Sequence, residues 1–239
     1  MSRTNDRTAN PAEVLPKRVQ RLRWWTLVHR HPSAILLLVQ LAGLLLYPFI
    51  EQAEYARALF GASSVVVLCL AIWMVSRTPG RAWISICIAL PAIALNVLYL
   101  TDGLDALLPW SASLEALFYF YAAGCLIAYM LEDRRATTDE LFAAGATFTL
   151  LAWGFAYLLV LCQALDAGSF SEIGGSDLPR GWSELIFLSF ALLSSTGIGN
   201  VIPLTGPARA LASLEMFVGV MYIALVVSRL IGLTVVRRE

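Results

Sequence analysis

The sequence predicts an all-α integral membrane protein. Of its 239 residues, 59% are hydrophobic and 14% are charged, whereas a soluble domain has about 45–50% apolar and about 25% charged residues. The apolar residues fall in long blocks, and a helix of about 17 or more such residues crosses the roughly 30 Å hydrocarbon layer of a bilayer. The lipid bilayer is therefore the predicted partner, and nucleic-acid binding is not indicated.

Hydropathy predicts six transmembrane helices, each bounded by charged residues, glycine or proline. They lie at residues 34–50, 59–75, 82–100, 107–131, 141–165 and 208–234. A seventh apolar segment, from about Leu185 to Leu193, is too short to cross the bilayer. It is predicted to form a re-entrant helix that is buried among the other helices.

The positions of lysine and arginine predict that both termini are cytoplasmic. With the N-terminus inside, fourteen of the 17 basic residues lie on the inner side, and only Arg57, Arg180 and Arg209 lie on the outer side. Short inner loops of membrane proteins carry this excess of positive charge. The outer loops of this chain carry acidic residues instead, so a multi-pass protein with this orientation is expected.

The chain divides into three predicted parts. Residues 1–33 are polar and basic and are expected to form a cytoplasmic arm at the membrane surface. The first apolar block begins only near Ala34, too late for the apolar region of a signal peptide. Residues 34–131 hold four spans, and residues 132–239 hold the last two spans with the short apolar segment between them.

The short segment is followed by an unusual sequence. From Gly181 the chain reads GWSELIFLSFALLSSTGIGN and then enters the final span. Ser183 is expected to cap a helix that descends part-way into the membrane, which leaves the negative end of the helix dipole at Ser194. The next residues must return outward as extended chain, with backbone carbonyls exposed at membrane depth. An ion path tolerates such exposure, whereas lipid does not.

Two alternating glycines in this return segment have a predicted mechanical role. Gly197 and Gly199 can adopt backbone angles that turn successive carbonyl oxygens toward one axis. The hydroxyl of Ser195 is expected to add the innermost ring of oxygen atoms when several copies surround that axis.

The segment resembles the pore of the potassium channel family, specifically the small bacterial six-span channels that lack a cytoplasmic regulatory domain. The family filter is usually TVGYGD or TLGYGD. Aligned on its two glycines, it falls on Ser195, Thr196, Gly197, Ile198, Gly199 and Asn200. The resemblance is close from Gly181 through the final span and loose over the first five spans.

The resemblance implies a homotetramer in the cell (inner) membrane, with four copies forming one selectivity filter for potassium or other monovalent cations. Ser195 to Gly199 would bind the ions, and Asn200 would lie at the filter mouth. Residues 132–239 would be the pore domain, and residues 34–131 would correspond to the sensor domain of voltage-gated relatives. No cofactor and no metal beyond the permeant cations are expected.

The segment departs from the family filter at four of its six positions. Serine replaces threonine at Ser195, Thr196 replaces an aliphatic residue, Ile198 replaces an aromatic residue and Asn200 replaces an acid. Without the aromatic hydroxyl, fewer hydrogen bonds surround the filter. A potassium-conducting channel and a poorly selective cation channel on the same scaffold therefore both remain open.

Four residues outside the filter have two interpretations each. Gly219 lies where the resemblance places the gating hinge of the last helix, but glycine also serves close helix packing. Glu215 is a possible pore-supporting acid that hydrogen-bonds behind the filter, whereas Glu115 has no obvious partner; a direct role and a merely protonated or hydrated carboxyl both fit. Arg229 is expected to face away from the pore and to reach headgroups or pair with an acid such as Glu132 or Asp133.

Other functions are less well supported by the sequence. Residues 107–131 contain no arginine, so the fourth span lacks the charges of a voltage sensor. An intramembrane hydrolase needs a nucleophile with a partner inside the spans, but His29 and His31 lie outside them and GxSxG is absent. A transporter more often shows paired interrupted helices, whereas this chain has a single short segment. An enzyme is not expected.

Overall fold

A computed structural model describes residues 32–50, 69, 82–102, 105–132, 138–172 and 179–236. These residues are mostly helical. The α-helices are α1 (Pro32–Ile50), α2 (Ala82–Asp102), α3 (Leu108–Glu132), α4 (Thr138–Leu165), α5 (Trp182–Leu193) and α6 (Gly206–Val236). Short 3-10 turns precede α3 and follow α4, and two strands, β1 (Phe170–Glu172) and β2 (Val201–Pro203), flank α5 in the sequence.

Each of these helices lies where the sequence predicts one, with bounds that differ by three residues or fewer. By length and composition, three helical segments in the described part of the chain can cross a membrane: Leu108–Leu131, Asp139–Leu165 and Gly206–Arg229. The predicted second span, at 59–75, lies outside the described residues except for Cys69. The predicted N-terminal arm also lies outside them, apart from its last two residues.

Helix α4 is the central element, because it packs against α1, α3, α5 and α6. Glycines on α4 permit this close packing. A Cβ atom at Gly145 would lie 2.9 Å from a methyl carbon of Leu37 on α1, and one at Gly154 would lie 3.3 Å from the ring of Phe120 on α3. The small residues of α4 therefore set how closely its neighbours approach.

An aromatic cluster joins α4 to α3 and to the start of α5. The rings of Tyr119 and Tyr157 stack with centroids 5.6 Å apart, and Tyr157 lies 4.5 Å from Trp182, the first residue of α5. Trp153 contacts both Tyr119 and Trp182. Offset and edge contacts of this kind stabilise a core beyond the area they bury, so α5 begins against a rigid surface.

Side-chain hydrogen bonds also join α2 to α3 and α1 to α4. Asn96 on α2 donates from Nδ2 to Oε1 of Glu115 on α3, over 2.6 Å. The expectation that Glu115 has no obvious partner is therefore wrong, because the packing of α2 on α3 brings an amide to a buried carboxyl group. Thr149 on α4 donates similarly to Gln40 on α1, over 2.6 Å. Such bonds satisfy polar groups that are withdrawn from water.

The two short strands are absent from the sequence prediction of an all-α chain. Strand β1 pairs antiparallel with β2, so that Phe170 lies opposite Pro203 and Glu172 lies opposite Val201. Three residues are too few to show the alternating pattern that identifies a strand. The pairing joins the segment after the C-terminal end of α4 to the segment that leads into α6.

Candidate functional site

Helix α5 begins at Trp182, three residues before the predicted start at about Leu185. Its N-cap is Gly181, whose N–H donates to Oε2 of Glu184 over 2.7 Å. The prediction that Ser183 caps this helix is therefore wrong. Glu184, in the first turn, reaches back to the start of the helix, where a negative charge is favourable.

Arg180, the residue before the N-cap, is hydrogen-bonded to the C-terminal end of α4. The side-chain amide of Gln163 accepts from the N–H of Arg180 over 2.8 Å and donates to its carbonyl oxygen over 3.0 Å. The guanidinium of Arg180 lies 3.6 Å from Glu184. The N-terminal end of α5 is therefore held by α4 on one side and by its own first turn on the other.

The C-terminal end of α5 forms a Schellman motif. Ser194 is the C-cap, and Ser195 has a left-handed backbone with φ of 57°. The N–H of Ser195 donates to Leu192 O over 2.9 Å, and that of Thr196 donates to Ala191 O over 3.0 Å. These two bonds satisfy carbonyl groups of the last turn. The chain therefore leaves the helix abruptly at Ser195.

The return segment after α5 has no regular secondary structure, and residues 195–200 are exposed in the single chain. Gly197 is left-handed, with φ of +64°, and its N–H also donates to Ala191 O, over 3.2 Å. The φ of Gly199 lies outside the left-handed region. The alternating left-handed residues are thus Ser195 and Gly197, not the two glycines, because the Schellman motif imposes that conformation on Ser195.

Some side chains of the return segment lie against α5, and others face open space. The hydroxyl of Thr196 turns back toward α5 and donates to Ala191 O over 3.3 Å. The side chain of Ile198 is 68% exposed and lines a cavity with Phe187 and Phe190 of α5. Gly199 lies beside Phe187, whose ring would be 3.5 Å from a Cβ atom added at that glycine.

The C-terminal end of the return segment, at Asn200, is held by β2, which begins at the next residue. Beyond the strand, the N–H of Leu204 donates to Ser169 O over 2.9 Å, and Nε of Arg209 donates to Pro203 O over 3.2 Å. Residues 195–200 therefore run between two fixed points, the end of α5 and the β1–β2 pair.

Behind α5 lies a buried polar junction of three helices. The hydroxyl of Ser189 on α5 lies 2.7 Å from the carbonyl oxygen of Ala152 on α4 and is hydrogen-bonded to Oε1 of Glu215 on α6. One turn farther along both helices, Gly219 of α6 meets the backbone of Leu193. Glu215, Ser189 and Leu193 are fully buried.

Residues 145–235 match a family model described as ion channel. These residues are thus similar to a potassium-channel-like ion-channel domain, and the matched family is one of channels and not of enzymes. Neither the curated proteins nor the solved structures gave a match. The matched segment begins within α4, includes α5, the return segment and β2, and ends within α6.

The structure brings most sequence-predicted residues to one place. Ser195 to Gly199 lie together at the C-terminal end of α5, Asn200 leads into β2, and Glu215 lies directly behind α5. Gly219 contacts the same helix at Leu193. Sequence reasoning missed Ser189, because one serine in an apolar helix is not a distinctive signal.

Arg229 pairs with an acid, but not with either acid suggested by the sequence. Its Nη2 lies 3.4 Å from Oε2 of Glu140 near the start of α4. Glu132 is the last residue of α3 and Asp133 lies outside the described residues. The packing of α6 on α4 selects Glu140, whose side chain is 3% exposed.

Proposed function

We propose that the protein is a passive, potassium-conducting cation channel in which four copies surround one ion path. Each copy contributes Ser195 to Gly199, whose backbone carbonyls form the selectivity filter, and Asn200 lies at its mouth. The observation that carries this proposal is the exposed return segment at the C-terminal end of α5, with left-handed residues at alternate positions, Ser195 and Gly197.

Such a segment meets the chemical requirement of conduction. A cation that leaves water must exchange its hydration shell for other oxygen atoms, and rings of carbonyl oxygens replace that shell. Left-handed residues at alternate positions turn neighbouring carbonyls to one side of the chain, which supplies such rings when several copies meet. The negative end of the α5 dipole at Ser194 favours a cation nearby, and the Ser195 hydroxyl adds a further oxygen.

The distribution of burial supports an assembly around this segment. Only 22% of the membrane-spanning window of α6 is buried in the single chain, against 50% for α3 and 56% for α4. One chain can line only one side of an ion path. Further copies are needed to shield its exposed residues 195–200 from lipid. The proposal therefore includes a homotetramer in the inner membrane, with both termini cytoplasmic.

A poorly selective cation channel is the second candidate, and the outer half of the return segment favours it. Ser195, Thr196 and Gly197 donate hydrogen bonds to α5. Within the described part of the single chain, Ile198 and Gly199 take part in no such bond. The Ile198 side chain cannot donate a hydrogen bond either. The backbone of this half of the segment is therefore held less firmly. Because the spacing of its carbonyl oxygens is less fixed, it discriminates less sharply between ions.

The test is the flux of potassium against sodium in liposomes that contain the purified protein. Gly197→Asp is the inactive variant, because it puts a side chain and a charge at a left-handed glycine with φ of +64°. Gly206→Asp is its matched control. It adds the same carboxylate at the start of α6, where a Cβ atom would meet nothing within 4 Å, and an acid near a helix N-terminus is favourable.

A potassium flux well above the sodium flux, abolished by Gly197→Asp and kept by Gly206→Asp, is the expected result. Equal fluxes that Gly197→Asp also abolishes would establish the poorly selective channel instead. Absence of any flux over a range of membrane potentials, from protein that assembles as a tetramer in native mass spectrometry, would overturn the proposal that these chains alone conduct.

A further inference from the structure

The buried junction behind α5 has fewer hydrogen atoms than its contacts require if Glu215 is ionised. The Ser189 hydroxyl carries one hydrogen. It lies 2.7 Å from Ala152 O and is bonded to Oε1 of Glu215. A peptide carbonyl accepts only, and an ionised carboxylate also accepts only. With an ionised Glu215, one of the two contacts would place two oxygen lone pairs against each other without a hydrogen.

A neutral Glu215 removes this conflict. Its carboxyl O–H donates to Ser189 Oγ, and Ser189 then donates its own hydrogen to Ala152 O. Every close oxygen contact in the junction has one donor and one acceptor in this arrangement. The direction of donation runs from α6 through α5 to α4, so a single chain of bonds joins the three helices.

The surroundings of Glu215 agree with the neutral form. The side chain is 0% exposed, and its second oxygen, Oε2, has no hydrogen-bond partner among the described residues. None of the described basic residues forms an ion pair with it; Arg180 and Arg229 pair with other acids. A buried charge without a partner is much more costly than a buried neutral carbonyl oxygen.

We propose that Glu215 is held as a neutral carboxylic acid and acts as a positioning residue, donating a hydrogen bond from its O–H to Ser189 to fix α5 against α6 and α4. Its effect on conduction rests on the function proposed above. The bond lies one helical turn before the contact of Leu193 with Gly219, and Ser195 follows two residues after Leu193. The junction thus fixes the position from which the return segment begins.

The protonation state is tested by infrared spectroscopy of the purified, lipid-reconstituted protein. A neutral carboxyl group has a carbonyl band well separated from the bands of carboxylates. We expect this band to be lost in Glu215→Gln, in a difference spectrum against the wild type. Glu115→Gln is the matched control, because Glu115 is another buried glutamate, on α3, that accepts from Asn96. The Glu215 band should persist in it.

A second variant keeps this test decisive. Ser189→Ala removes the acceptor but leaves the carboxyl group buried, so the band should remain and shift to higher frequency. If the difference spectrum of wild type minus Glu215→Gln contains only carboxylate bands, or if Ser189→Ala leaves the band unmoved, the proposal is overturned. Neither spectrum depends on ion flux, so this result is separate from the outcome for the channel function.

Potassium flux tests the positioning role. In Glu215→Gln the new side-chain amide would still donate a hydrogen bond to Ser189, so this variant should conduct within about twofold of the wild type. Glu215→Met has a similar length and no donor, and its flux should fall about tenfold, as expected for one lost buried hydrogen bond. Equal flux from Glu215→Gln and Glu215→Met would overturn the positioning role.

Discussion

Gly219 has no room for a side chain. A Cβ atom at this position would overlap the carbonyl oxygen of Leu193, far inside the 3.0 Å below which real Cβ contacts essentially never fall. The obstacle is the backbone at the end of α5, which cannot rotate away as a side chain can. This contact requires glycine whether or not α6 bends there, and it supports the packing interpretation over the hinge.

Gly219→Ala distinguishes the two interpretations by the sign of its effect on stability. If glycine served only as a hinge, alanine would stabilise the helix by roughly 0.5–1 kcal/mol. Because of the contact with Leu193, we expect a loss of about 1–3 kcal/mol, typical of an overpacked core. Thermal unfolding of the protein in detergent measures the difference.

Gly124→Ala is the matched control for this experiment. Gly124 lies inside α3, and a Cβ atom there would meet nothing within 4 Å. Its replacement should be neutral or stabilising. A Gly219→Ala protein as stable as the Gly124→Ala protein would contradict the packing interpretation.

At the scale of elements, the start of α4 and the C-terminal part of α6 are joined by Glu140 and Arg229. The side chain of Glu140 is 3% exposed and that of Arg229 is 16% exposed. The pair explains how α6 carries an arginine near its C-terminal end without leaving the charge unpaired. Nearer the centre of the helix, Tyr222 of α6 also donates to Ala144 O of α4, over 2.6 Å.

We expect Arg229→Gln to destabilise the protein by about 1–3 kcal/mol, because it removes one partner of a buried carboxylate. The double variant Glu140→Gln with Arg229→Gln should recover part of that loss, since no charge then remains buried. Unfolding of both single variants and the double variant gives the coupling energy. Additive effects of the two substitutions would show that the pair does not contribute to the α4–α6 contact.

At the scale of the whole molecule, the helices that precede the return segment carry no gating charges in the described part of the chain. Helices α1, α2, α3 and α4 contain no lysine or arginine. Charge movement supplies about 2.3 kcal/mol per elementary charge per 100 mV, so helices without basic charge cannot sense the membrane potential as arginine-rich sensors do. Their extensive packing around α4 instead suits a static support.

We therefore expect weak or absent intrinsic voltage dependence. In planar bilayers, the open probability should change little over a range of positive and negative potentials, and no gating current should precede ion current. The Gly197→Asp protein provides the background recording. A steep sigmoidal relation between conductance and voltage would contradict this prediction.

The sequence by itself determined the membrane class, the positions of the described helices and the segment that carries the ion-channel match. These features depend on local properties. Twenty or so apolar residues form a membrane helix in almost any context, and a short apolar segment followed by SSTGIGN is distinctive without knowledge of its neighbours. For this reason the helix bounds differ from prediction by three residues or fewer.

Only the tertiary structure decided which residues meet. Glu115 bonds Asn96, 19 residues away, Arg229 pairs with Glu140, 89 residues away, and β1 finds β2 across the whole of α5. The left-handed residue at Ser195, rather than Gly199, likewise follows from how α5 ends. In a uniformly apolar chain many helix faces are equally suitable for packing, so hydropathy cannot select among them. The fit of side chains and the need to satisfy buried polar groups make that selection.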